Sequence, residues 1–183
     1  MAEIGHNNGP AMDRGVSYRK HVWTMARRDL LPVLPLPVVR RRVKRAAEIG
    51  LDYNTYATVR ATTGRDVVAL LFSSNALRLF MADQKLQQDR RDKLAQISNC
   101  ERRAITVAPL LPDHVGEDVL DAVFAAPSVY ANWPQAAAAI TKARASHHAA
   151  SVLMVGDTSL EREWSMAGRL AGYLPAERFF TGM

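Results

Sequence analysis

Asp157 and Glu161 stand four residues apart behind an apolar run and a glycine, in VLMVGDTSLEREWSMAGRLAG, residues 152–172. Carboxylates spaced this way at the start of a helix can face one side. A carboxylate pair suits Mg²⁺, a hard ion that takes oxygen ligands. Asp157 is expected just beyond the carboxyl end of a strand, where open α/β sheets bind ligands. A second polar turn, Ser73-Ser74-Asn75, closes the apolar run 67–72. The plainer reading of both turns is helix capping: Asp157 and Thr158 cap one helix and Ser73 to Asn75 another.

A different chemistry is written in Arg40-Arg41-Arg42-Val43-Lys44-Arg45. At 100° per residue, Arg40, Arg41, Lys44 and Arg45 fall on one helix face. Such a face gains affinity for phosphate backbones through counterion release, without reading sequence. Lys20, Arg27, Arg28 and Arg60 extend the stripe, and Trp23, Tyr53 and Tyr56 could stack on bases or pack in a core. The alternative is a solvated face docked on the acidic half of the chain.

The positioning elements follow from periodicity and punctuation. Residues 1–16 read as an arm, with turn chemistry at Asn7-Asn8-Gly9-Pro10. A helix is expected over 18–31, stopped by Pro32, with LPVLPLP as a stiff connector. A second helix is expected over 37–49, its apolar face Val39, Val43 and Ala46 or Ala47, with Gly50 past its end. A third is expected over 54–62, ended by Gly64. The apolar runs 67–72, 104–108 and 151–155 read as buried strands. Helices are expected from Asn75 to Ile97 (Leu79, Ala82, Leu86, Leu94 and Ile97 inward), over 117–126 and 134–145, and from the Gly156-Asp157 turn to Ala171. Strands alternating with helices imply parallel pairing. The fold expected is therefore α/β, a small mostly parallel sheet of about three strands. It forms one domain over 17–183, with 17–64 a helical basic subregion.

Two short resemblances bear on function. EIGHNNG, residues 3–9, resembles a leader carried by proteins of alphaproteobacteria and their phages, and implies a mobile-element origin. The strand–Gly156–Asp157 turn resembles the fourth motif of the haloacid-dehalogenase-like hydrolases, and Phe72-Ser73-Ser74-Asn75 resembles their second. That resemblance implies phosphate contact by Ser73 or Ser74, Mg²⁺ contact by Asp157 and Glu161, and Lys142 as the family lysine. The family's acceptor is the first Asp of an Asp-x-Asp motif after an N-terminal apolar strand. The nearest sequence here is Asp52-Tyr53-Asn54, which follows a basic helix and ends in an amide.

The 183 residues carry 24 Lys+Arg against 18 Asp+Glu, a net of +6. The charge is uneven: residues 1–103 hold 19 against 10, a net of +9, and residues 104–183 hold 5 against 8, a net of −3. This points to an acidic partner for the first half, nucleic acid or an acidic protein surface. Cys100 is the sole cysteine, so disulfide scaffolds and Cys-based metal sites are excluded. His147 and His148 are adjacent and diverge. No apolar run reaches membrane-spanning length, and a cytoplasmic protein is expected. The favoured reading is a non-catalytic binding or regulatory protein, a phage or mobile-element accessory, engaging nucleic acid or a nucleoprotein complex through Arg40, Arg41, Lys44 and Arg45, with no cofactor. The alternative is a Mg²⁺-dependent phosphotransfer enzyme of the haloacid-dehalogenase-like kind, or its inactive relative. A homo-oligomer joined through helices of 17–50 is the third.

Overall fold

The structure, a computed structural model, describes residues 34–116 and 118–181. The chain divides into two compact units, Met1–Val39 and Arg40–Met183. The leader, the arm 1–16, the helix expected over 18–31 and the first part of the connector lie outside the described residues.

Helix α1 covers Leu36–Glu48 and α2 covers Tyr53–Thr63. The ends of α2 are set locally. Asp52 accepts a bond from Thr55 N at 2.9 Å, and Gly64, at φ 68°, returns its N–H to Arg60 O at 3.0 Å. A left-handed residue of this kind is cheapest as glycine. In α1, Ala46 is buried as expected, but Val43 is half exposed. Arg45 takes the inward place instead. It donates to Asp66 Oδ2 at 3.1 Å, Val67 O at 2.9 Å and Asn99 O at 3.0 Å. Its guanidinium thus joins one carboxylate and two backbone carbonyls.

Strand β1 (Ala69–Ser73) leads into a four-residue helix α3 (Ser74–Leu77), then α4 (Gln88–Ala95) and β2 (Glu101–Thr106). Strand β3 (Ala122–Ala125), helix α5 (Trp133–Arg144), β4 (Val152–Gly156), α6 (Ser159–Ala167), β5 (Gly172–Pro175) and α7 (Ala176–Thr181) complete the order. The sheet has five strands rather than about three, all parallel, ordered β3-β2-β1-β4-β5. The two that the sequence reading missed are its four-residue edges. A run that short shows no period of its own, and β3 lies inside the helix expected over 117–126. The helix expected from Asn75 to Ile97 is split as well. Arg78 and Asp83 both adopt left-handed φ, 56° and 58°, which no helix continues. Gln84 pins the intervening loop, its carbonyl accepting from Phe80 N and Met81 N and its amide donating to Arg78 O. Leu79, Leu86, Leu94 and Ile97 are buried as expected, and Ala82 is exposed.

Strand side chains alternate between two cores. Leu70, Phe72, Leu153 and Val155 join Ala46, Ile49, Tyr56 and Phe179 on one face. Ala69, Leu71, Val152 and Met154 join Ile140, Ala143 and Trp164 of α5 and α6 on the other. Both faces of the central strands are therefore covered, which is why they read as continuous apolar runs. No helix among the described residues is long and apolar enough to cross a membrane.

The amino end of the sheet is held by charge. Glu101 accepts from Arg103 Nε at 2.7 Å and stands 3.0 Å from His147 Nε2, while Arg103 Nη1 donates to Ala143 O. Asp121 accepts from Arg102 N at 2.7 Å and Arg102 Nη2 at 3.0 Å. The hydrogen bond from His147, reinforced by Arg103, holds the Glu101 carboxyl below its ordinary value, and Arg102 does the same for Asp121. A carboxyl depressed in the folded state contributes stability at pH above its unfolded value and loses it as pH falls through its folded one. The urea midpoint is expected to stay level through neutral pH and to fall in the acid range, below about pH 4.5. Glu101→Gln with Asp121→Asn is expected to flatten that fall. An acid limb identical in the double variant would exclude the two carboxyls as its source.

Candidate functional site

The chain steps outward from β1 to β2 and β3, then returns past β1 to lay down β4 and β5. The connection from β1 runs over the face of α4, and those into and out of β4 run over the face of α5 and α6. The two sets part at the carboxyl ends of β1 and β4, and a crevice opens between strands where such a reversal occurs. The turns Ser73-Ser74-Asn75 and Gly156-Asp157-Thr158 meet there, so both motifs singled out in the sequence come to one place.

Glu161 closes the crevice. Its carboxylate is fully buried, and Oε2 accepts from Asp157 N at 2.5 Å and Thr158 N at 2.9 Å. Oε1 accepts from Asn75 Nδ2 at 2.9 Å, across from the end of β1. Thr158 Oγ1 in turn accepts from Glu161 N at 3.2 Å, completing a capping box on α6. Gly156 is required beside it: a Cβ there would stand 2.6 Å from Tyr173 Cε2 and 2.7 Å from Glu161 Oε2. Tyr173 is itself fixed, its hydroxyl donating to Thr158 O at 3.0 Å, and burial followed by the Glu161 charge pushes the phenol up to about 12.

This geometry changes the role of each candidate. Glu161 is surrounded by N–H donors, the surroundings of an anion rather than of a carboxylate facing a cation. Asp157 is exposed, and no group of three His, Cys, Asp or Glu side chains able to hold a metal occurs among the described residues. Ser73 Oγ accepts from Ala76 N at 3.0 Å and caps α3; Ser74 Oγ accepts from Val107 N at 3.1 Å and ties β1 to the end of β2. Lys142 lies in the last turn of α5, beside the Ala143 carbonyl that Arg103 reaches at the start of β2, so it sits at the opposite end of the sheet from Asp157. The first strand of the sheet ends in Ser-Ser-Asn, with no carboxylate to accept a phosphoryl group. Asp52 caps α2.

The basic helix also sorts its residues. Arg40, Arg41 and Lys44 are exposed and Arg45 is turned inward. Arg60 faces Asp66 at 3.9 Å, and Tyr56 is buried with its hydroxyl on Asp66 at 2.8 Å, so Tyr56 is a core residue and not a stacking one. Lys20, Trp23, Arg27 and Arg28 lie outside the described residues. Burial pushes the Cys100 thiol up to about 12, which leaves it without nucleophilic character at neutral pH.

Sequence reasoning missed Arg90. It is only 7% exposed, yet it lies in a stretch so dense in charge that it reads as a solvated face. Its burial depends on the fold, and no local signal marks it.

No protein-family model, curated protein or solved structure matches the chain.

Proposed function

We propose that the protein is a non-catalytic binding protein that engages nucleic acid through the exposed cations of α1. The observation that supports this is the division of labour within one helix. Arg45 is spent on Asp66 and two backbone carbonyls and roots the helix. Arg40, Arg41 and Lys44, spaced over the preceding turns, are exposed and enter no ion pair among the described residues. Cations left without carboxylate partners on one helix suit a phosphate backbone, since each contact releases condensed counterions.

Fluorescence anisotropy against a labelled duplex and a labelled single strand, over a salt series, tests the reading. Arg41→Ala with Lys44→Ala is expected to weaken binding and to lower the slope of log affinity against log salt by about two, one per cation removed. Arg45→Ala acts on the root instead, lowering the unfolding midpoint. Wild-type protein that binds neither probe in a salt-sensitive way removes nucleic acid as the partner.

A further inference from the structure

We propose that the trough between α2 and the edge strand β5 binds a short extended peptide segment, which adds to the sheet alongside β5. β5 pairs with β4 on one side and with no strand on the other. A cavity of about 290 Å³ lies against this strand, with α2 as its other wall. All of residues 171–175 border it. Successive side chains of a strand point to opposite faces, so consecutive residues share one wall through their backbone edge. Such an edge presents a row of N–H and C=O groups, a template for a further strand. Ala171 N–H points inward, to Val152 O at 2.9 Å, whereas the Gly172 carbonyl accepts from Ser165 Oγ at 3.0 Å. By alternation Leu174, like Gly172, presents its backbone away from β4.

The opposite wall selects the chemistry of the occupant. Asn54, Thr58 and Thr62, each one turn apart on α2, are exposed along it. Thr58 Oγ1 donates to Asn54 O at 2.8 Å, and Thr62 Oγ1 donates to Thr58 O at 3.0 Å. Both hydroxyl protons are therefore spent within the helix, and the two hydroxyls offer an occupant only acceptor lone pairs. A phosphate brings acceptors alone and gains nothing from them; an amide N–H does. The floor is apolar, formed by Val59, Leu153 and Leu174. Leu153 reaches it because Gly172, its partner across the strand pair, has no side chain: a Cβ there would stand 3.5 Å from Leu153 Cδ1. Among the described residues that line the cavity, Arg178 alone is charged, and Asp52 stands 3.6 Å from it. An uncharged chain with alternating donors and acceptors, and with apolar side chains on one face, meets edge, wall and floor together. The four residues of β5 span about 13 Å, which sets the length of segment that pairs. Arg40, Arg41 and Lys44 do not border the trough, so its occupancy is separate from nucleic-acid binding at α1.

The test starts from a random heptapeptide library displayed on phage and selected on the full chain. An enriched peptide, synthesised with both termini blocked, is titrated into ¹⁵N-labelled protein. The Gly172 and Leu174 amide resonances are expected to shift. Methylation of the peptide amide nitrogens is expected to weaken binding about tenfold at one alternating set of residues and far less at the other, as strand pairing requires. Thr58→Trp, at an exposed position, fills the trough and is expected to weaken binding about tenfold or more. Thr62→Trp replaces it if Thr58→Trp does not fold, and the methylation pattern decides without either variant. Arg41→Ala with Lys44→Ala is expected to bind the peptide as wild type does. A library that yields no binder, a binder that the tryptophan variant leaves unaffected, a methylation effect without alternation, or shifts absent from residues 171–175 overturns the proposal. So does a second copy of the chain as occupant, seen when the Leu174 resonance moves with protein concentration alone.

Discussion

Glu161→Ala is expected to lower the free energy of unfolding by about 3–5 kcal/mol, since it strands three buried or half-buried donors at once. Asp157 N, Thr158 N and Asn75 Nδ2 all point at this carboxylate, and Glu161 itself is wholly excluded from water. A donor left unsatisfied in such a place costs about 1–3 kcal/mol, and alanine also leaves a void. Glu161→Gln is expected to fall between, because its amide keeps one acceptor and turns two hydrogens toward groups that are already donors. Urea unfolding followed by far-ultraviolet circular dichroism measures both. The result separates two roles for the residue. A carboxylate kept for Mg²⁺ leaves a more relaxed protein when removed, and wild type then gains stability from added Mg²⁺. A loss smaller than about 1 kcal/mol, together with such a Mg²⁺ effect, would sink the capping role.

Gly156→Ala is the second change with a large expected cost, about 2–3 kcal/mol. The new methyl would overlap Tyr173 Cε2 and Glu161 Oε2, and it would approach Glu161 Cβ at 3.1 Å. Neither neighbour yields cheaply: the Tyr173 hydroxyl is bonded to Thr158 O, and the Glu161 carboxylate holds its three donors. For a domain of this size the loss appears as a fall in Tm of roughly 4–12 °C. Placed on a Glu161→Ala background, the same substitution is expected to cost less, because one of its two clashes is gone. The coupling free energy from that double-mutant cycle reports the contact directly. Strict additivity would mean that the glycine is tolerant and the crevice looser than its packing implies.

Parts of this site are legible in the sequence. Ser73-Ser74-Asn75 and Asp157-Thr158 were read as helix caps, and the hydroxyls of Ser73 and Thr158 cap α3 and α6. The strands β1 and β4 were legible because a strand covered on both faces reads as a continuous apolar run, whereas β2, expected over 104–108, spans Glu101–Thr106 and opens on three charged residues whose pairing is set by Asp121 and His147. The ends of α2 were legible from Asn54 and Gly64 to within a residue. The Asp157–Glu161 spacing was legible too, but its meaning was not. Four residues along a helix bring two carboxylates near each other whether they hold a metal or one of them turns back to cap the amides.

What the sequence alone determined was the alternation of strand and helix, the parallel α/β class and the uneven charge. All of these are carried by neighbours a few residues apart. The tertiary structure decided the edges β3 and β5, the break in the helix after Leu77, and the fate of each charge. Arg41 and Arg45 lie one turn apart on the same basic helix, yet Arg41 is exposed and Arg45 is bound to Asp66, 21 residues away. Glu161 is a cap across the crevice because Asn75, 86 residues earlier, reaches it. Arg90 is buried because Ala76 and Phe180 close over it. Pairing and burial are set by partners distant in the chain, so local periodicity carries no record of them.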